Sequence, residues 1–310
     1  MSNFFRLIII VSTLVFILEA CGQTANKEKM IYLLEDFDEF PYDIYNPTEK
    51  FVLKDALREI SGLTYYNANS LLCINDEKGI VYKYHLNKKE VTKKYHFEKS
   101  GDYEGVEMVD SLVYVLRSDG KVFKINNLRG KNTNTIKRST ILNAGNDTEG
   151  LGYDASSNSL LIACKGNPAR GNKYLGKRVI YKYSLDKNEL IDTPYLFIDQ
   201  GQIRKILEFN GYARFSVKLF ENLNPAEGDI TFQPSAVAVH PITNNIYVLG
   251  SVGKLLLVLN SEGEIQAVVK LKRKIFRQPE GICFAPDGTM FISNEGKGSK
   301  ANILQFKFNK

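Results

Sequence analysis

The chain has little of what metal and disulfide chemistry use. Among 310 residues there are 4 cysteines and 3 histidines. Cys21, Cys73, Cys164 and Cys283 form no Cys-x-x-Cys pair, and His85, His96 and His240 are scattered. That argues against a zinc site, whose ligands come in close pairs. Cys73, Cys164 and Cys283 sit among aliphatic neighbours and read as small buried hydrophobes. With Cys21 set apart for the reason given below, their odd number argues against a disulfide framework. No Gly-x-Ser-x-Gly and no phosphate-binding Gly-rich loop occurs, so no nucleophile elbow or nucleotide site is legible. Nor does one sign of charge dominate: 41 basic against 35 acidic residues leave +6. The densest basic cluster, Lys270, Lys272, Arg273, Lys274 and Arg277, falls on an expected outer strand and the loop after it. No nucleic-acid partner is expected.

What is present is a repeated phrase. Residues 278–294 read as strand, Pro-Asp-Gly turn, strand, opened by Glu280-Gly281-Ile282. Related tripeptides begin at Ser61, Glu104, Glu149 and Ser235, and the five starts are 43, 45, 86 and 45 residues apart. A period of roughly 45 residues is that of a propeller blade of four antiparallel strands. In the second copy, residues 105–109, 112–116 and 121–125 are the first three strands, with Ser118-Asp119-Gly120 as a turn. The fourth strand of each blade precedes the next tripeptide: 91–97, 135–142 and 266–271. By that rule residues 50–54 complete the blade begun at Glu280 and close the ring, which removes an open edge.

The predicted fold is therefore all-β, a single β-propeller of four-stranded blades closed by an N-terminal strand. The spacing of 86 fits five blades with a short helical excursion at about 200–230, or six if a degenerate blade hides there. No tripeptide, turn and strand series is visible in that gap, which favours five. Within it, residues 203–209 have helical spacing and 214–220 form a second short element.

At the N-terminus, Arg6 precedes an apolar run at residues 7–18, too short to span a bilayer comfortably. It ends Leu18-Glu19-Ala20-Cys21, which resembles a bacterial lipobox, apart from an atypical glutamate before the alanine. The division expected is residues 1–21 as a lipoprotein signal with Cys21 lipidated, 22–48 as tether and lead-in with one strand at 31–34, and 49–310 as the propeller. The expected protein is a monomer of the bacterial cell envelope, held to a membrane by its lipid.

The phrases Asp102-Tyr-Glu-Gly-Val-Glu107, Asp147-Thr-Glu-Gly-Leu151, Gln233-Pro-Ser-Ala-Val-Ala-Val-His-Pro241 and Gln278-Pro-Glu-Gly-Ile282 together resemble the SdiA-regulated family of bacterial envelope proteins. The resemblance covers about residues 50–308. It implies an envelope propeller, often a lipoprotein, akin to lactonase-like and phytase-esterase-like propellers. It implies no agreed activity, and the stretch at 200–232 departs from a minimal member.

First strands line the channel of a propeller, so Glu104, Glu149 and Glu280 are expected to converge at one end, joined by Ser61 and Ser235. Converging carboxylates raise one another's pKa, and a hard cation relieves the repulsion, which makes calcium the expected cofactor of this oxygen set. The alternative is structural: each glutamate accepts from backbone amides of the next blade and pins blade to blade. Polar residues at second-strand ends, Asn75-Asp76, Arg117, Lys165-Gly-Asn167, Ser251 and Asn294, would ring the same or the adjacent face. Arg117 and Lys165 would bind an anionic group or neutralise Glu104 and Glu149. Two readings stay open. One is a protein that binds a small molecule or envelope partner at one propeller face. The other is a metal-dependent hydrolase of esters, lactones or phosphate esters.

Overall fold

The computed structural model describes residues 30–34, 37–126, 128, 134–166, 168, 174, 176–208 and 232–309. The signal segment, Cys21, Asn167 and the expected element at 214–220 lie outside the described residues. Five antiparallel sheets form the blades. Blade 1 is β3 (Ile60–Asn67), β4 (Ser70–Asn75), β5 (Ile80–His85) and β6 (Glu90–His96). Blade 2 is β7 (Tyr103–Val109), β8 (Leu112–Arg117), β9 (Val122–Asn126) and β10 (Asn134–Arg138). Blade 3 is β11 (Thr148–Asp154), β12 (Ser159–Cys164) and β13 (Lys177–Ser184), followed by β14 (Glu189–Leu190) and β15 (Leu196–Asp199). Blade 4 is β16 (Gln233–Val239), β17 (Ile246–Val252), β18 (Leu255–Leu259) and β19 (Ile265–Lys270). Blade 5 is β20 (Pro279–Phe284), β21 (Met290–Asn294) and β22 (Asn302–Phe306).

Burial follows position in the blade. Second strands are pressed between neighbouring blades on both faces, so they are continuously apolar, as in Leu-Leu-Cys-Ile of β4 and Leu-Leu-Ile-Ala-Cys of β12, with every residue buried. The outermost β6 carries Lys93 and Lys94 and is mostly exposed, which discourages pairing with another chain. Gly120 and Gly288 adopt φ of 79° and 85° at the two Asp-Gly turns, a left-handed conformation that glycine takes without strain. Blade 3 divides its fourth strand: β14 and β15 both pair with β13, on either side of a stretch containing Pro194.

The ring closes as the sequence predicts. β2 (Glu49–Val52) pairs antiparallel with β22, setting Glu49 opposite Gln305 and Val52 opposite Asn302. The lead-in also takes part in the fold. β1 (Ile31–Leu33) adds a fifth strand to blade 4 beside β19. Residues 37–48 then run beneath blades 4 and 5, burying Phe40, Tyr42 and Ile44 against Tyr247, Ile282 and Phe306. The Tyr42 hydroxyl donates to Gly288 O at 2.7 Å and lies 2.9 Å from His240 Nε2. His240 is fully buried, and burial lowers its pKa to about 4, so it stays neutral and donates from Nε2. The described part of the excursion after blade 3 is helix α1 (Gln200–Glu208), with Ile203 and Ile206 buried. Asp199 starts it by accepting from Gly201 N and Gln202 N at 2.8 and 3.2 Å.

Candidate functional site

All five inner strands share one local device. Ser61, Glu104, Glu149, Ser235 and Glu280 are each passed over in the pairing of their strand with the next, between residues that remain in register. A bulge of this kind leaves one residue unpaired and re-aims its side chain. The residue that follows is glycine in four blades and Ala236 in blade 4. It lets adjacent inner strands approach closely: a Cβ on Gly105 would lie 2.5 Å from Leu151 Cβ, and one on Gly150 2.8 Å from Val237 N.

Ser61, Glu104, Glu149 and Glu280 line a common hub at this end of the channel; Ser235 does not, although Ala236 does. The hub encloses about 10 Å³, the room of roughly one water. Burial, then the Glu149 carboxylate and a hydrogen bond shared with Asp102, raise Glu104 to about 10. Burial and then Glu149 raise Glu280 to about 8, although Gln278 Nε2 donates to it at 2.6 Å. Burial raises Glu149 also, and Lys165 offsets part of the rise, its Nζ standing 2.5 Å from Glu149 Oε1. Burial pulls the Lys165 ammonium down, but Glu149 and Asp147 hold it above its ordinary value.

The glutamates thus take partners within their own blades. Hydroxyls pin blade to blade instead. Ser61 donates to Tyr103 O at 2.6 Å, Ser235 to Pro279 O at 2.8 Å and Thr148 to Arg117 O at 2.8 Å. Thr64 donates to the half-buried Glu107 at 2.5 Å. Arg117 is drawn away from Glu104: it makes a two-point pair with Asp119 at 2.9 and 2.8 Å. Asn294 is fully buried, donating to Asn302 Oδ1 at 3.1 Å, and is no surface ligand. Lys165 alone of the two expected cations reaches a hub carboxylate.

Calcium finds a poor donor set here: Lys165 already neutralises Glu149, which leaves a cation two of the three hub carboxylates. Among the described residues, no group of three or more His, Cys, Asp or Glu side chains is placed to hold a metal ion.

Sequence reasoning missed how far the acidic character spreads. Burial, then Glu59, Glu77 and Asp102, raise Asp76 to about 6, and its buried Oδ1 has no hydrogen-bond partner. Burial, then a hydrogen bond with Glu59, raises Glu295 to about 7. Asp102 and Asp147, two residues before a bulge glutamate, were the legible signal.

A second hollow lies at the opposite end of the ring, between blades 5 and 1. It encloses about 630 Å³, and Tyr65, Asn87, Asp287 and Gln305 are among its walls.

No protein-family model matches the chain, and no curated protein matches it. Solved structures do. Glutaminyl cyclase of Myxococcus xanthus is similar over 85% of this chain and 96% of its own, at 11% identity and a TM-score of 0.54. The PQQ-bound aldose sugar dehydrogenase of Streptomyces coelicolor aligns over 84% of this chain and 99% of its own, at 10% identity and a TM-score of 0.46. Virginiamycin B lyase of Staphylococcus aureus aligns over 84% and 73%, at 10% identity and a TM-score of 0.44. These neighbours are propeller-like proteins, and at such identities the likeness is one of fold alone.

Proposed function

We propose that the chain is a binding propeller of the bacterial envelope, of the kind its resemblance to the SdiA-regulated family implies. Cys21 carries the lipid that anchors it, and one propeller face holds a small molecule. The observation that carries the binding reading is the contrast between the two ends of the ring. Among the described residues, the acidic end offers the room of about one water, and Lys165 and a proton on Glu104 balance part of its charge. A metal-dependent hydrolase needs an open coordination position and space for its substrate above it. The far end instead offers a hollow within the range of small-molecule sites, about 300–1,000 Å³. The anchor rests on the apolar run that stops at Cys21.

The test uses the full chain expressed in a bacterium, beside its Cys21→Ala and Glu104→Gln variants. The unaltered chain is expected in the membrane fraction and Cys21→Ala in the soluble one. Neither the unaltered chain nor Glu104→Gln should turn over ester, lactone or phosphodiester substrates. Hydrolysis that EDTA stops and Glu104→Gln abolishes would overturn the binding reading. Cys21→Ala left in the membrane pellet would overturn the anchor.

A further inference from the structure

The strap at residues 37–48 fills the groove beneath blades 4 and 5 with Phe40, Tyr42 and Ile44. The neighbouring groove, between blades 5 and 1, receives no such filling and is the hollow of about 630 Å³. Its floor is aromatic: Phe51 and Phe291 are buried beneath it, and Tyr65 stands half-buried at its side.

We propose that this hollow is a binding site for a small neutral saccharide. The proposal rests on the binding reading above and names its ligand class.

Three features of the walls lead to that class. The first is a mixture of donors and acceptors without protein partners. Among the described residues, no side chain or backbone group pairs with the Tyr65 hydroxyl or the Gln305 amide. Asn87 spends one amide hydrogen on Asn69 Oδ1 at 3.1 Å, which leaves its own oxygen to accept. A sugar hydroxyl both donates and accepts, so it can meet a hydroxyl and two carboxamides in turn.

The second feature is charge. Lys89 and Glu49 pair at 2.8 Å and cancel. Asp287 is the remaining charge; it accepts from Thr289 N at 2.9 Å, and that backbone donor holds its carboxyl below the ordinary value. It is exposed, and a lone exposed carboxylate contributes little to holding a cation. It can still accept from a hydroxyl. An anionic ligand would meet it with repulsion.

The third feature is the aromatic floor. Phe51 and Phe291 are only 4% and 3% exposed, so the half-buried Tyr65 ring is the face that can meet the polarised C–H groups of a pyranose, while the sugar's hydroxyls project sideways to the polar rim. An apolar floor with a few placed polar groups is the usual build of a small-ligand site.

The full chain should be titrated with glucose, galactose, mannose and N-acetylglucosamine, and with tryptamine as a cationic aromatic probe. Saturation-transfer NMR and calorimetry read the binding. Ala68→Trp is the blocking variant, because Ala68 lines the hollow on an exposed turn and a larger side chain there leaves the core untouched. At least one sugar is expected to bind, to be lost in Ala68→Trp, and to weaken about tenfold in Gln305→Ala, the loss of one or two hydrogen bonds. Melting temperatures of both variants should stay near that of the unaltered chain. Sugar binding that survives Ala68→Trp overturns the placement. If tryptamine alone binds, and Ala68→Trp abolishes it, the saccharide is wrong and the binding reading stands. If no probe binds, the proposal fails, and only the hydrolysis and fractionation test then decides the broader reading.

Discussion

Glu104 shows what one carboxyl costs when neighbours share its space. It titrates at 4.5 ordinarily and at about 10 in the folded ring. A group whose folded pKa lies above its unfolded value binds protons more tightly in the native state. Its contribution to stability is whole below pH 4.5 and is lost as pH rises through 10. Glu280, raised to about 8, and Glu107, raised to about 7, act in the same direction. Melting temperature is therefore expected to fall steadily from pH 5 to pH 10. Glu104→Gln imitates the protonated carboxyl and should flatten part of that fall, raising the melting temperature at pH 9 by roughly 2–4 °C for each kcal/mol recovered. Parallel curves for the two proteins would show that the hub does not hold the proton. The convergence of the acids was legible, since repeating tripeptides must return to one end of a ring. Their partners were not: Arg117 ends β8 and Lys165 directly follows β12, yet Asp119, two residues on, captures the first.

At the scale of the strand, the decisive object is the bulge. Its position could be read, because the tripeptide marks it in every blade. Its nature could not, because a skipped residue has no compositional sign; it is set by how two neighbouring backbones twist past each other. The same limit applies to blade 3, where β14 and β15 share the work of one strand around Pro194. By contrast, α1 was legible from the spacing of Ile203 and Ile206. The close approach behind each bulge makes a graded prediction. A Cβ at Gly150 would meet backbone, Val237 N at 2.8 Å, whereas one at Gly62 would find its nearest atom, Val106 N, at 3.2 Å. Backbone in a closed ring yields little. Gly150→Ala should therefore cost about 1–3 kcal/mol in urea unfolding, and Gly62→Ala clearly less. Equal costs would mean that the inner strands slide apart freely.

For the molecule as a whole, the ring is one object only after β2 meets β22. That contact joins Glu49 to Gln305, across nearly the whole described chain. Apart from β1 on blade 4, the other blades are made of neighbours in sequence, and local contacts form before distant ones because their loop-closure entropy is smaller. Closure is then a late event in folding, with the partly formed ring already assembled around it. Phe51 reports on it: the ring is 4% exposed, packs with Ile303, and meets Tyr84 edge to face at 6.2 Å between centroids. Phe51→Ala should destabilise the chain by about 3–5 kcal/mol. If its contacts form after the barrier, that loss appears as faster unfolding with the refolding rate nearly unchanged. Stopped-flow unfolding and refolding in urea separates the two limbs. A slower refolding limb with unaltered unfolding would place closure at the start, with the first and last strands nucleating the ring that the blades then fill.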